Sequence, residues 1–471
     1  MPRFCFDEVA GVTRRDALRA AGNGFGLLAL GSLLGQGAVA ADKPASPLAP
    51  RPPHFKARAK RVIFLFMHGG PSQVDTFDPK PLLTKFHGQP FPGAKPRVQF
   101  AATGNLLKSP WEFQPGGKSG IQVSDLFPEV RKNADDLCVI RSVHADNSAH
   151  GGALLQLHTG SDTLVRPSMG SWVTYGLGSE NQNLPGFVTV CPNLGHGGVS
   201  NWSSSFLPAA YQGTPLGHAG SPVKGVKFAD IAARHGPAQR AQLDLIAAMN
   251  RDHLAANPAD AALEGRIDAM ELAFRMQSDA PKVMDLTTES KETLDLYGVG
   301  KDPTDDFARQ CLLARRFAEA GVRFIQVSHS YKWDQHGDLR KDHAKNAREV
   351  DQPIAALLVD LKRRGLLDDT LVWWGGEFGR TPTAQGSDGR DHNPHAFTMW
   401  LAGGGTKAGT VYGKTDDFGY FGVENKVHLH DLHAMILAAL GLDHEKLTYR
   451  YAGRDFRLTD VSGRVVKEVL A

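Results

Sequence analysis

Acidic and imidazole side chains follow four apolar segments of this sequence, at the point where each segment ends. The clearest case is Leu371–His395, in which the apolar run Leu371–Trp374 stops at two glycines and Glu377 comes directly after them. Carboxylates, imidazoles and a guanidinium this close together suit a metal and anion site, although a polar surface loop with structural histidines has the same composition. The candidate metal ligands of this stretch are Glu377, Asp391, His392 and His395, and Arg380 is its candidate for binding an anion during catalysis.

The other three apolar segments end in candidates of the same kind. Ser148 and His150 are also candidate catalytic residues, because a nucleophile near a helix N-terminus and a metal would have its alkoxide stabilised. Serine is equally a preferred helix N-cap, and aspartate often closes a turn, so Ser148 and Asp75 stay open between the two roles. The segments and their candidates are Arg61–Met67 with His68 and Asp75, Leu137–Val143 with Ser148 and His150, and Val322–Ser328 with Asp334 and His336.

These side chains need a scaffold that brings four distant segments together. Short, almost wholly apolar runs bounded by polar residues predict buried strands. From Val322 to Trp374 the pattern predicts a strand, a helix over Lys345–Arg364 and a second strand, and such a βαβ unit builds a parallel sheet. The carboxyl ends of parallel strands lie at one edge of the sheet, where ligands bind in open α/β folds. The sequence therefore predicts an α/β protein whose candidates meet around a shared cation at that edge.

The donor set leaves the identity of this cation open. Mixed carboxylate and imidazole ligands suit zinc, manganese or iron, whereas carboxylates alone can hold calcium or magnesium. The sequence has neither a dinucleotide-binding GxGxxG after its first strand nor a P-loop, which argues against nucleotide sites of those types and against an oxidoreductase. A formal net charge of +3 over 471 residues is too small to predict a nucleic-acid partner.

The N-terminal residues have the pattern of an export signal. Arg14 and Arg15 precede a weakly apolar run, and a small-residue cleavage site follows at Ala38–Ala40, which is typical of a twin-arginine signal. An uncleaved N-terminal anchor is the alternative, but the run is short and rich in glycine for a spanning helix. We expect a signal over residues 1–40, a linker over 41–60, and a periplasmic or extracellular domain over 61–471. A cap of loops and helices is expected around 192–300, and no spanning segment in the mature chain.

Five motifs resemble those of the DUF1501 family: HGGPSQVDTFDPKP, GVRFIQVSHSYKWDQHG, GGEFGRTP, GRDHNPHAF and YRYAGRDFRLTDV. This family is grouped with the alkaline phosphatase-like superfamily of sulfatases, phosphatases and phosphopentomutases. The resemblance implies a three-layer α/β/α sandwich with a mostly parallel central sheet and a divalent metal, Zn, Ca, Mg or Mn, at the strand ends. By this likeness the metal ligands are Asp75, Asp334, His336, Glu377 and His392 or His395, and Ser148 lies near the position of the nucleophile.

Three departures from that pattern bear on activity. Glu377 is followed by Phe378, where the superfamily commonly has His or Asn, so one ligand is missing. The spacing between Asp334 and His336 is shorter than usual. No CxPxR or SxPxR motif surrounds Ser148, so a formylglycine sulfatase is not expected. The expected function is an exported metal-dependent hydrolase of sulfate or phosphate esters on small molecules or glycans. The alternative is a catalytically degenerate glycan- or envelope-binding protein of the same fold.

Overall fold

The computed structural model describes residues 46–94, 96, 102–228, 238–256 and 261–471. The expected export signal and residues 41–45 of the expected linker lie outside the described residues. Residues 47–471 form one compact unit. Among the described residues, none of the helices combines the length and the hydrophobicity that a membrane crossing requires.

Nine strands of the described chain form one central sheet. The strands are β1 Arg61–Met67, β2 Leu137–His144, β3 Phe187–Val190, β4 Thr214–Leu216, β5 Phe324–His329, β6 Thr370–Gly375, β7 Phe397–Ala402, β8 Thr410–Tyr412 and β9 Val427–His428. Their spatial order is β8-β2-β7-β6-β1-β5-β3-β4, and β9 pairs with the end of β2 on the same side as β8. All of them run in the same direction except β7, which is antiparallel to both of its neighbours.

Four two-stranded sheets lie outside the central one. The most important here is the hairpin that follows β6, because it carries three of the candidate residues, Arg380, Asp391 and His392. The paired segments are Phe113–Gly116 with Ile121–Ser124, Gly379–Gln385 with Gly389–Asn393, Lys414–Thr415 with Gly422–Glu424, and Tyr449–Tyr451 with Arg454–Phe456.

Helices connect the strands of the central sheet. They are α1 Gln73–Thr76, α2 Pro81–Lys85, α3 Pro128–Arg131, α4 His150–Thr159, α5 Met169–Leu177, α6 Ala238–Ala256, α7 Ala261–Met284, α8 Lys291–Tyr297, α9 Asp305–Glu319, α10 Leu339–Arg363 and α11 Leu429–Ala439. Single 3-10 turns are present at Ala134–Asp136, Gly198–Trp202, Ala209–Tyr211, Leu286–Thr288 and Leu367–Asp369.

The helices cover both faces of the sheet. On one face Phe64 of β1 stacks on Trp373 of β6, with ring centroids 3.6 Å apart, and His158 of α4 packs over Phe64. On the other face the ring of His329 contacts Phe307 of α9 at 5.3 Å. Helices α5 and α11 share the face of α4, and α3 and α10 share the face of α9. The result is the predicted three-layer α/β/α sandwich, and every residue of β1 is buried because helices cover it on both sides.

The predicted strands are all present, with ends that differ from the expected ones by at most two residues. The helix expected at Lys345–Arg364 begins earlier, at Leu339, because its first turns lie under the polar loop that follows β5. Helix α11 begins at Leu429 behind a capping box formed by His428 and Asp431.

Candidate metal centre

The four predicted strand ends lie at one edge of the sheet. Met67, the last residue of β1, pairs with His329 at the end of β5, and Phe66 pairs with Gly375 at the end of β6. Because β1, β2, β5 and β6 run in the same direction, the residues that follow them all emerge at this edge. The sheet therefore brings together segments that are more than 300 residues apart in the chain.

The first group of donors consists of His68, His150 and Glu377, whose ligand atoms all lie within 4.8 Å of one another. The Glu377 Oε1 atom is 2.7 Å from His150 Nδ1 and 4.0 Å from His68 Nε2. The backbone N–H of Gly69 donates to both Glu377 oxygens, at 3.0 and 3.2 Å. Gly69 has φ +114°, and a Cβ there would lie 2.7 Å from the Asp334 nitrogen, so only glycine fits this close approach of two loops.

Two further groups continue from the first: the second shares His150 with the first, and the third shares His392 with the second. Asp334 lies 3.2 Å from His150 Nε2 through Oδ2, and its Oδ1 lies 3.1 Å from His392 Nε2 and 3.0 Å from His336 Nε2. His336, Asp391 and His392 form the third group of donors within 4.8 Å of one another. The seven side chains thus form a continuous row of carboxylates and imidazoles along the sheet edge.

Residues next to the row fix the orientation of its imidazoles. His392 Nδ1 lies 2.6 Å from the carbonyl oxygen of Ser148. A carbonyl only accepts, so Nδ1 carries the proton of the neutral ring and Nε2 is the nitrogen turned toward Asp334. The side-chain amide of Asn193 contacts His68 Nδ1 at 3.1 Å, and Nε2 of that ring therefore faces Glu377.

The electrostatics of the row favour ionised carboxylates. Burial raises the pKa of Glu377, but His150 and His68 outweigh burial and lower it to about 2. The pKa of Asp334 is likewise held well below its usual value by the neighbouring histidines despite burial. Burial lowers the pKa of His150, and the carboxylates of Asp334 and Glu377 outweigh it and raise it to about 9. Burial lowers the pKa of His68 to about 4, so this ring is neutral at pH 7.

The donor set fits a divalent metal. Within the described part of the chain, two buried atoms of the row have no hydrogen-bond partner, namely His68 Nε2 and Asp391 Oδ2, whereas His150 Nε2 lies 3.2 Å from Asp334 Oδ2. Buried polar atoms are nearly always satisfied, and a metal ion is one way to satisfy them. Four imidazoles with three carboxylates suit zinc, manganese or iron better than calcium or magnesium, which prefer oxygen ligands.

Asp75 is not among the residues that the row gathers. Its carboxylate is fully buried and lies 2.7 Å from Arg390 Nε through Oδ2 and 3.1 Å from Arg390 Nη2 through Oδ1. The Ser72 hydroxyl donates to the same carboxylate at 2.5 Å. The metal-ligand role implied by the family resemblance is therefore not supported, because both oxygens of Asp75 are held in a buried ion pair.

The guanidinium of Arg380 is also committed to the protein. It is completely buried and donates to the carbonyl oxygens of Gly70 at 3.0 Å and Arg390 at 3.2 Å, and to that of Gly69. It donates to Asp334 Oδ1 at 2.7 Å as well. These contacts do not support the expected direct role in anion binding; Arg380 instead orients Asp334.

The sequence predicts Ser148 as a catalytic residue and His395 as a metal ligand, and both lie on loops that also carry residues of the row. Ser148 is half-buried, and its backbone carbonyl, rather than its hydroxyl, makes the described contact to His392. His395 is exposed, and its ring lies beside Phe421, with centroids 5.4 Å apart. His395 therefore does not belong to the row, and of the two late histidines His392 is the one that does.

Three rings cover the row; sequence reasoning named Phe378 only as a departure from the superfamily pattern and missed the other two. The ring of Phe378 stacks on His392 at 4.3 Å and lies 4.9 Å from His150, so an apolar ring covers these two imidazoles. His196 and Tyr331 pack against the same imidazoles from the exposed side. The only sequence signal for His196 and Tyr331 was their position on the loops that follow β3 and β5.

The fold and this row of donors define an α/β protein with a candidate metal centre at the carboxyl edge of its sheet. The sequence profile of DUF1501, described as a protein of unknown function, matches residues 59–470. The chain therefore belongs to the DUF1501 family, as its motifs predicted. No curated protein matches the sequence of this chain significantly.

Solved structures with a similar fold include a sulfatase, an alkaline phosphatase and another member of the alkaline phosphatase superfamily. A protein in the alkaline phosphatase superfamily from Vibrio parahaemolyticus has a TM-score of 0.37 and 9% identity, over 86% of this chain and 72% of that chain. The PsFucS1 sulfatase from Pseudoalteromonas sp. has a TM-score of 0.35 and 13% identity, over 82% and 69%. A mutant of TAB5 alkaline phosphatase with Mg bound has a TM-score of 0.35 and 11% identity, over 82% and 99%. Likeness at this level carries no inference about activity, which has to come from the residues of this chain.

Proposed function

We propose that this protein is an exported metal-dependent hydrolase of sulfate or phosphate esters, including esters on glycans. The observation that carries the proposal is the continuous row formed by the three overlapping donor groups, with buried donor atoms that lack partners among the described residues. A row longer than one coordination sphere suits a metal at one end and a bound ester beside it.

Each part of the row has a role in this proposal. A divalent metal held by these donors would polarise the ester oxygen and lower the pKa of an attacking hydroxyl. Glu377 and His150 would bind the metal at one end of the row, and Arg380 holds Asp334 in position between the two ends of the row. Phe378 keeps water away from the buried side of the imidazoles. The nucleophile is the Ser148 hydroxyl or a water molecule, and the carbonyl of Ser148 orients the ring of His392 in either case.

Elemental analysis of the purified protein, followed by an ester screen, tests the proposal. The screen uses p-nitrophenyl sulfate, p-nitrophenyl phosphate and bis(p-nitrophenyl) phosphate after loading with Zn, Mn, Ca or Mg. We expect bound metal and turnover in the native protein, and loss of both in Glu377→Gln. The control is Glu424→Gln, which neutralises an exposed carboxylate and should change neither. Native protein that holds no metal and turns over none of the esters would contradict the proposal.

The role of Ser148 is tested with a single further variant. If its hydroxyl attacks the ester, Ser148→Ala retains metal and loses turnover by at least about two orders of magnitude. If water attacks, the variant keeps most of its turnover, because the carbonyl that orients His392 is unchanged.

Export is tested separately, because Arg14 and Arg15 lie outside the described residues. We expect the native protein in the periplasmic or extracellular fraction, and Arg14→Lys with Arg15→Lys in the cytoplasm. Native protein that stays in the cytoplasm would refute export without affecting the hydrolase proposal.

A binding protein that has lost catalysis is the second candidate, and one observation favours it. Arg380, the cation that acts on the pKa of Asp334, is buried and has its donors committed to protein oxygens. It is therefore not available to stabilise charge on a transition state. Metal binding without turnover of any ester, together with retention of an acidic oligosaccharide, would support this candidate over the enzyme.

A further inference from the structure

Two exposed rings lie over the donor row. His196 stacks on His150 with centroids 5.1 Å apart and planes at 18°, and it lies 6.2 Å from His68. Tyr331 packs edge-on against His68 at 4.9 Å and lies 5.0 Å from His196. His196 is exposed and 46% of the surface of Tyr331 is accessible, so both rings stand between the buried imidazoles and the solvent.

Both residues have backbone conformations that disfavour a side chain. His196 has φ +47° and Tyr331 has φ +54°, in the left-handed region that costs a non-glycine residue about 1–2 kcal/mol. Gly197 and Gly198 also have positive φ, so the chain uses glycine at two of three consecutive left-handed positions and histidine at the other. An exposed ring that could be glycine without loss of core packing points to a use outside the fold.

The two loops are fastened to each other and to the row. The Ser330 hydroxyl donates to the carbonyl oxygen of Cys191 at 2.9 Å, which joins the end of β3 to the end of β5. The Asn193 amide contacts His68 at 3.1 Å. The loops that carry His196 and Tyr331 are therefore anchored close to the two rings, beside the candidate metal ligands.

We infer that His196 and Tyr331 contact the alcohol portion of the bound ester, while the donor row holds its sulfate or phosphate group. The inference rests on the proposed function and adds a class of substrate to it, an ester whose alcohol carries a ring. Aromatic and imidazole rings offer a flat face to a sugar or aryl ring, and each has a polar atom that can hydrogen-bond a hydroxyl at the rim. They are substrate-contacting residues that set specificity.

The experiment uses full-length, metal-loaded protein and two probes of different size. Calorimetry measures binding of inorganic phosphate, which occupies the row alone, and of phenylphosphonate, a non-hydrolysable analogue that adds a ring. The variants are Tyr331→Gly and His196→Gly, which remove the ring and relieve the backbone. The control is Ala452→Gly, which gives the same relief at φ +46° on an exposed hairpin.

We expect each site variant to weaken binding of phenylphosphonate about tenfold, which is the loss of one ring contact. The KM for p-nitrophenyl phosphate should rise by a similar factor, with a smaller change in kcat. The binding of inorganic phosphate, the metal content and the Tm should match those of Ala452→Gly. Unchanged binding of the larger probe would overturn the inference. A fall in Tm for the site variants alone would overturn it as well, because the rings would then be structural.

The design separates this inference from the proposed function. If no ester is turned over, the hydrolase proposal fails, but the two binding measurements still report whether the rings recognise the alcohol portion. If esters are hydrolysed and binding of the larger probe is unchanged in both variants, the hydrolase proposal stands and the inference fails.

Discussion

Replacing Asp75 by asparagine separates the structural role seen here from the metal-ligand role that the family resemblance implies. Asp75 and Arg390 are both completely buried, and the pair is joined by contacts of 2.7 and 3.1 Å. Burial raises the pKa of Asp75, and the Arg390 guanidinium outweighs it and holds that pKa below its usual value. Asparagine keeps the size and one acceptor of the side chain but leaves the Arg390 cation buried without its counter-charge.

Removal of one partner of such a pair costs about 3–5 kcal/mol. With an unfolding entropy of about 2.1 cal/mol/K per residue over about 425 folded residues, the Tm of Asp75→Asn should fall by about 3–6 °C. Its metal content should not change, since Asp75 is outside the three donor groups. Calorimetry with elemental analysis of the same samples measures both quantities.

Two controls make the Asp75 experiment specific. Asp75→Asn with Arg390→Gln removes both charges and should recover part of the lost stability. Glu424→Gln breaks an ion pair with Lys414 in which both side chains are 61% exposed, and it should change the free energy of unfolding by less than about 1 kcal/mol. Native-like stability with lost metal in Asp75→Asn would refute the structural role and restore the ligand role.

Three further predictions concern residues beside the donor row. Burial raises the pKa of Glu349, but His329 and a lysine outweigh burial and lower it to about 2. Its contribution to the free energy of unfolding is therefore fully present above pH 4.5 and is lost as the pH falls through 2. In Glu349→Gln the free energy of unfolding should depend less steeply on pH in this window, by at most about 3 kcal/mol. An equally steep acid transition would contradict this. Gly69→Ala places a Cβ 2.7 Å from a backbone nitrogen at φ +114°, so chemical denaturation should show a loss of more than about 2 kcal/mol together with loss of metal. In the native protein the ring centroids of Phe378 and His392 are 4.3 Å apart, so Phe378→His puts a further imidazole beside His392. Metal binding should become at least about tenfold tighter in a chelator competition. Weaker binding would show that the apolar ring is needed.

The sheet and most of the donor row could be predicted from the sequence, because both depend on local patterns. Apolar runs such as Arg61–Met67 mark strands wherever they lie, and a parallel arrangement puts the residues that follow them at one edge. This logic brought His68, Asp334 and Glu377 to one place without any knowledge of distances.

The tertiary structure alone decided which polar residues remain available to a ligand. Asp75 and Arg390 are 315 residues apart, and no local pattern indicates that they neutralise each other. The sequence context of Arg380 is that of an anion-binding residue, but in the fold its guanidinium donates to backbone carbonyl oxygens instead. Sequence patterns report whether a side chain is buried, but the partner of a buried charge depends on contacts between distant segments.

The exposed cover of the donor row could be found only in three dimensions. His196 lies in a glycine-rich loop and Tyr331 in a polar one, and neither has the spacing of a motif. Their positive φ angles and their stacking on His150 and His68 result from how two loops fold over one edge. The sequence thus determined the strands and the donors that end them, because burial follows periodicity. The fold decided which donors face a ligand and what covers them, because those properties depend on non-local geometry.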